Sequence, residues 1–476
     1  MATSKSVSVL TVYSLAMLTI GSVAFDCVRN LPASAMFQGS PIFFYILAGV
    51  AFLIPTALVS AELASAWPSR GSIYTWIKQA FGVKWALLAV WYQWIGNVFW
   101  YPTVLSFIAG TLAHITMPEL IDAPAFMVSV ILVVFWSITA LNLLGLRVSA
   151  WFGSFCTVIG LVIPLAIIIG LGIAWLIMGN PSQMSVASLM TVPSIYDPTA
   201  FVAVTAIILS CCGMEITSAH APEVDSPQRD YPRALFISAT VIMLSMILGY
   251  LAIAIVVPKE KISLVAGLIQ AFDVFFTEFH LQWLLPVFGG SILLGALGGL
   301  SNWVIGPSKG FLFALQDLQI APFLHKENSH RVPVTLLIFQ GIVCTAISLI
   351  FFLMPSTNSS YWVLTVLASQ LYLVMYVILF LAVFYLRVKF PHVPRAYKIP
   401  GGKIGLGIVC TLGLISCIAT IIIGFYPPAD MHLNGSIGYT IAIFAGFVLF
   451  SFPAYLLYRS HTNQKVIPLE YVSENM

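Results

Sequence analysis

Three carboxylates fall inside long apolar runs of this chain: Asp26, Glu62 and Glu215. An ionisable side chain in hydrocarbon costs a few kcal/mol, about 2.5–3.5 on insertion scales, so each must face a cavity, find a partner or hold a proton. Glu215 follows Cys211-Cys212-Gly213, where a glycine weakens the helix and freed backbone and water could meet the carboxyl. Two roles fit it: a group that titrates as a ligand passes, or a carboxyl that only caps loose backbone. Asp26 and Arg29 stand one helical turn apart, which suits mutual neutralisation more than a role in an outer vestibule. Glu62, close to the end of its run, suits a structural hydrogen bond or the interface. Gln93 and Asn97 share a face at i, i+4, among Trp91, Tyr92, Trp94, Trp100 and Tyr101, and so call for a bundle interior. Trp303, in GGLSNWVIG, either packs or lines a cavity. Exposed amides hold anions and freed carbonyls hold cations, so interrupted helices around these side chains would suit a substrate carrying an amine and a carboxylate.

No catalytic constellation accompanies them. The eight histidines are scattered, and there is no GxSxG, HExxH or P-loop pattern, so ATP-driven transport and intramembrane hydrolysis lack their required groups. The seven cysteines (Cys27, Cys156, Cys211, Cys212, Cys344, Cys410 and Cys417) lie in apolar runs without zinc-like flanking ligands; neither a disulfide nor a metal is expected, and no cofactor. Secondary transport is the economical expectation.

The elements that must position these groups are membrane helices. Of 476 residues 60% are hydrophobic and 8% charged, against about a quarter charged in soluble domains. A net charge of +3 gives no reason to expect nucleic acid; the partners are the lipid bilayer and small molecules. About 20 apolar residues cross the hydrocarbon core, and twelve spans are expected, at roughly 8–32, 40–65, 83–113, 124–143, 149–178, 200–221, 233–257, 283–316, 333–355, 362–388, 405–425 and 437–458. The N-terminus runs into the first of them without a cleavage site and reads as a retained helix. Lysine and arginine collect on the side of both termini, which places the termini in the cytoplasm and only Arg29, Lys259 and Lys261 elsewhere. The stretch 261–276 is expected as an amphipathic helix on the outer face of the membrane. Spans 1 and 6 carry breaks at corresponding depths, Thr19-Ile20-Gly21-Ser22 and Cys211-Cys212-Gly213, the pattern of an inverted repeat with a central site. The alternative is that these glycines serve close packing.

Several stretches carry a resemblance. IPTALVSAELASAWPSRGSIYTWIKQAFG (54–82) and the span 6 end, with Gly213, Glu215 and DSPQRDYPRA (225–234), are similar to the amino acid, polyamine and organocation transporter superfamily. Within it, NWVIGPSKG (302–310), RVPVTLL (331–337), YKIPGGK (397–403) and GFYPP (424–428) most resemble the bacterial glutamate/gamma-aminobutyrate antiporters. The resemblance implies an all-α polytopic membrane protein of twelve transmembrane helices, LeuT-like, with a five-plus-five inverted repeat and helices 1 and 6 interrupted. Its repeats would be 1–180 and 199–390, followed by two helices over 400–460 and a short cytoplasmic tail, 461–476. It implies alternating access, amino acids or their decarboxylated amines as substrates, a bacterial plasma membrane, and a monomer or homodimer. By position it implies unwound, substrate-binding segments at Ile20, Gly21, Ser22 and Val23 and at Ser210, Cys211, Cys212 and Gly213; a pocket lined or gated by Asn97 and Trp303; and proton coupling at Glu215.

The chain departs from the family in three places. Acid-resistance glutamate antiporters carry an acid in span 8 where this chain has Gly298-Gly299; they carry a long C-terminal plug, and a shut-off plug is not expected here; and some proton-driven relatives place a lysine in span 5, where this chain has none between Arg147 and Asn180. Either exchange without a driving ion or a cation held near Ser22 and Ser301 is therefore a further expectation. The leading expectation is an amino acid antiporter, the alternative a proton- or sodium-coupled importer, and a more remote one a non-transporting amino acid sensor. Trp94, Trp303, Cys211 and Met214 lean toward a neutral substrate side chain.

Overall fold

The computed structural model describes residues 11–35, 41–67, 71–145, 152–153, 155–184, 201–216, 227–330, 332–427 and 435–462. Arg70, Arg147, Arg331, the Asp225-Ser226 start of the span 6 motif and the tail from 463 onward lie outside them. Uninterrupted apolar runs become helices because only intrasegment hydrogen bonding satisfies a backbone in lipid. In order these are α1 (Val12–Ala35), α2 (Ile42–Ala66), the short amphipathic α3 (Ser72–Phe81), α4 (Val83–Thr116), α5 (Pro124–Leu143), α6 (Phe155–Ile177) and α7 (Ala203–Ser210). Then come α8 (Pro227–Ala254), α9 (Gly267–Glu278), α10 (Leu285–Asp317), α11 (Val334–Leu353), α12 (Thr357–Lys389), α13 (Gly402–Ile423) and α14 (Gly435–Thr462).

Among the described residues ten helices are long and apolar enough to cross a membrane. The 24-residue α1, with Asp26 and Arg29 in it, and the eight-residue α7 stand outside those ten. The most apolar windows of α4 and α12 are 83% buried, against 11% at the last helix, so α4 and α12 form the centre and α14 the rim. Around that centre α12 and α10 pack on α4, and α1 packs on α8. Two helices carry π-bulges, α2 at Gly49–Leu53 and α6 at Val158–Val162, each followed closely by a proline that cannot supply the next N–H. Beside the second, α6 and α10 meet backbone to backbone: a Cβ on Gly160 would lie 2.1 Å from the Gly295 nitrogen.

Two expectations are corrected. Span 1 is a continuous helix through Ile20, Gly21, Ser22 and Val23. Gly21 serves close packing instead: a Cβ there would stand 3.0 Å from Thr157 Oγ1. A glycine costs a helix only about 1 kcal/mol, less than the several kcal/mol of leaving one backbone group unpaired in hydrocarbon. The amphipathic segment does form a helix, α9, but protein and not lipid covers its apolar face. Phe272 meets Phe288 at 5.2 Å between ring centroids and Phe275 meets Trp175 at 5.7 Å.

Charged groups at the helix ends tie the elements together. Glu62, buried at the end of α2, receives Arg387 Nε at 2.6 Å, the Arg387 Nη2 in a second, shorter bond, the Ile399 amide at 3.0 Å and Arg395 Nε at 3.4 Å. Thus α2, the end of α12 and the loop after it close on one carboxylate. Asp317 of α10 takes Lys78 Nζ at 2.5 Å and the Tyr74 hydroxyl at 2.6 Å from α3; burial first, and then this carboxylate, push the Tyr74 phenol up.

Candidate transport site

Where span 6 is expected to break, the described helix stops. Helix α7 ends at Ser210, the Cys211 amide still reaches Ile207 and Ile208, Cys212 reaches Leu209, and at Gly213 the backbone turns to φ +107°. Only glycine adopts that angle without strain, and a Cβ would also lie 2.8 Å from the Trp303 ring. The freed Gly213 amide donates to the Tyr376 hydroxyl at 2.8 Å. Trp303 lies against this turn and donates its indole N–H to the Ser22 carbonyl at 2.8 Å, so one side chain of α10 joins α1 to the broken helix.

Glu215, fully buried two residues on, is met from α4 and α12. Tyr372 donates to Oε1 at 2.8 Å, Tyr376 makes a shorter bond to Oε2, and Gln93 Nε2 approaches Oε1 at 3.4 Å and Tyr372 at 3.2 Å. The Tyr376 oxygen therefore connects the carboxylate to the Gly213 amide. A proton arriving on Glu215 would be a new donor among donors, and at least one tyrosine hydroxyl must turn away to receive it.

A small cavity with room for about one water opens beside this turn. Leu209 and Cys212 form one wall, Gly96, Asn97 and Trp100 of α4 another, and Asp26, Trp303 and Tyr372 close it. Asp26 Oδ1 receives Arg29 Nε at 2.9 Å, Arg29 Nη2 at 2.5 Å and Trp100 Nε1 at 2.7 Å. Arg29, wholly buried, also donates to Tyr361 at 2.6 Å; Tyr361 donates to Asn30 at 2.7 Å, and Asn30 to Ser210 at 2.7 Å. This network runs from α1 to α12 and α7.

Of the residues singled out in the sequence, Asn97, Cys212 and Trp303 line the cavity. Gly213 lies against the Trp303 ring, with Val23 as its other contact, and Ser210 holds Asn30. Cys211 and Ile20 are buried, and Gly21 faces Thr157 instead of the cavity. Ser22 and Ser301 are each engaged elsewhere, Ser22 through its carbonyl with Trp303 and Ser301 through its hydroxyl with Asn142 at 3.0 Å. Asp26 does pair with Arg29, yet it also reaches the cavity. The reading of α12 as a plain span missed Tyr361, Tyr372 and Tyr376. Their spacing of eleven and four residues puts three phenols on one face of an apolar helix, a signal present in the sequence.

The amino acid permease family model matches residues 10–448. The chain is 38% identical over 461 residues to an uncharacterized transporter of Legionella pneumophila, covering 96% of this chain and 98% of that one. It is 31% identical over 440 residues to a glutamate/gamma-aminobutyrate antiporter of Lactococcus lactis, covering 91% of this chain and 87% of the relative. A probable agmatine/putrescine antiporter of the same species is 26% identical over 414 residues, 87% of each chain.

Proposed function

Since the chain belongs to the amino acid permease family, we propose that it is a secondary antiporter of the bacterial plasma membrane, exchanging an amino acid for another or for its decarboxylated amine by alternating access. The relatives named as antiporters of glutamate with gamma-aminobutyrate and of agmatine with putrescine support exchange over ion-coupled uptake. The observation that carries the reading is the end of α7 at Ser210, with the Gly213 turn, the Glu215 carboxylate and a cavity side by side. We take the fold as twelve spans, counting α1 and the broken sixth beside the ten apolar helices, in two inverted repeats with both termini cytoplasmic.

Substrate binds between α1, the Ser210–Gly213 turn, Asn97 and Trp303. Because Trp303 occupies the space over Gly213, its movement opens the site. Glu215 couples a proton to that movement: protonation turns a tyrosine hydroxyl, and the Tyr376 link hands the change to the Gly213 amide.

The test is uptake of radiolabelled glutamate, gamma-aminobutyrate and putrescine into proteoliposomes holding internal substrate or none. Uptake that requires internal substrate is expected. Accumulation by empty vesicles on a proton or sodium gradient would overturn exchange in favour of coupled import.

A further inference from the structure

We infer that Asp26 is the substrate-ammonium acceptor of this site, with Arg29 as its positioning residue, and that the protein selects ligands by their primary ammonium group. The inference rests on the exchange reading above and narrows it. An amino acid and the amine left by its decarboxylation differ by a whole carboxylate. The group they share is the ammonium, so a site that serves both in turn needs a fixed acceptor for it. Asp26 alone among the described residues lining the cavity carries a formal charge.

Its geometry suits the task. Three N–H groups, two from Arg29 and one from Trp100, load Oδ1, whereas Oδ2 takes only a long contact of 3.4 Å from Asn30. A carboxylate has about four acceptor positions, so Oδ2 keeps capacity for a charge-assisted bond of about 2.7–2.9 Å to an ammonium. Arg29 stands behind, held by Tyr361, and fixes the carboxylate so that binding orders nothing new. The cavity lining adds the aromatic rings of Trp100 and Trp303, 5.3 Å apart, and of Tyr372, groups that attract a cation once it is desolvated.

The experiment measures thermal stabilisation and binding calorimetry of the full-length purified protein with glutamate, gamma-aminobutyrate, putrescine and glutarate, the last lacking nitrogen. Wild-type protein should bind the three ammonium compounds and not glutarate. Because Asp26→Asn alone strands a buried arginine, Asp26→Asn with Arg29→Gln is the companion variant, carrying neither charge. Monodisperse and folded, it should lose about tenfold or more in affinity for every ammonium ligand. Glutarate binding as well as glutamate, no binding of any ammonium compound, or wild-type affinity in the double variant would each overturn the assignment. Wild-type protein that binds ammonium ligands but exchanges none in vesicles would refute antiport and leave the role of Asp26 standing.

Discussion

Glu215 and Asp26 are both buried carboxylates beside one cavity, and their partners separate their roles. Asp26 is paired with a permanent cation in its own helix. Glu215 is met by two phenols and an amide, none of them charged. A proton arriving at Glu215 thus meets hydroxyls that can reorient to receive it. Glu215→Gln keeps the side chain's size and removes the titration. Its transport rate, measured from pH 5 to about 8, should lose the pH dependence of the wild type while the protein still purifies as a folded species. A profile of unchanged shape would reduce Glu215 to a cap on the broken helix.

At the scale of elements, two glycines that look alike in sequence do different work. Gly213 has a left-handed φ and a tryptophan ring where a Cβ would go; Gly21 has helical backbone and a rotatable threonine beside it. Gly213→Ala should therefore cost about 1–2 kcal/mol in backbone strain alone, with displacement of Trp303 added. Gly21→Ala should stay near neutral, the alanine's helix preference of about 1 kcal/mol offsetting a tight contact. Melting temperatures of the two variants in detergent compare them, and a larger loss at Gly21 would restore a special backbone role to span 1. The same pair marks what could be read beforehand. Cys-Cys-Gly before a glutamate announced a break, because both the weakened helix and the reason for weakening it are local. Gly21 turned on Thr157, some 136 positions away in the chain, and no local pattern distinguishes a glycine that bends a helix from one that admits a neighbour. Helix positions were legible from apolar length. The partners of Glu215 were not, since they come from α4 and α12, 122 to 161 residues distant in sequence.

At the scale of the whole molecule the site is narrow. A cavity for about one water is far below the roughly 300 Å³ or more of small-molecule pockets, so helices must part before an amino acid enters. The Glu62 cluster joins α2 to the end of α12 and the following loop, and its release is a candidate step in that parting. Removing one member of such a buried ion pair costs about 3–5 kcal/mol. In a variant keeping Cys212 as its sole cysteine, Glu62→Gln should speed maleimide labelling of that cavity-lining thiol several-fold. An unchanged rate would make the cluster a static brace that stays shut through the cycle.

The one-turn spacing of Asp26 and Arg29 also bears on how the chain enters a bilayer. A helix is handed to the membrane before its later neighbours exist, and each isolated charge at its centre costs about 2.5–3.5 kcal/mol on insertion scales. Helix α1 brings its anion and cation together, already bonded to each other within 24 residues, before Trp100 and Tyr361 of later segments add their bonds. Glu215 draws its phenol partners from further along the chain. Its two phenols come from α12, about 160 residues later in the chain, so during biogenesis the sixth span completes this set of bonds only once that helix is in place.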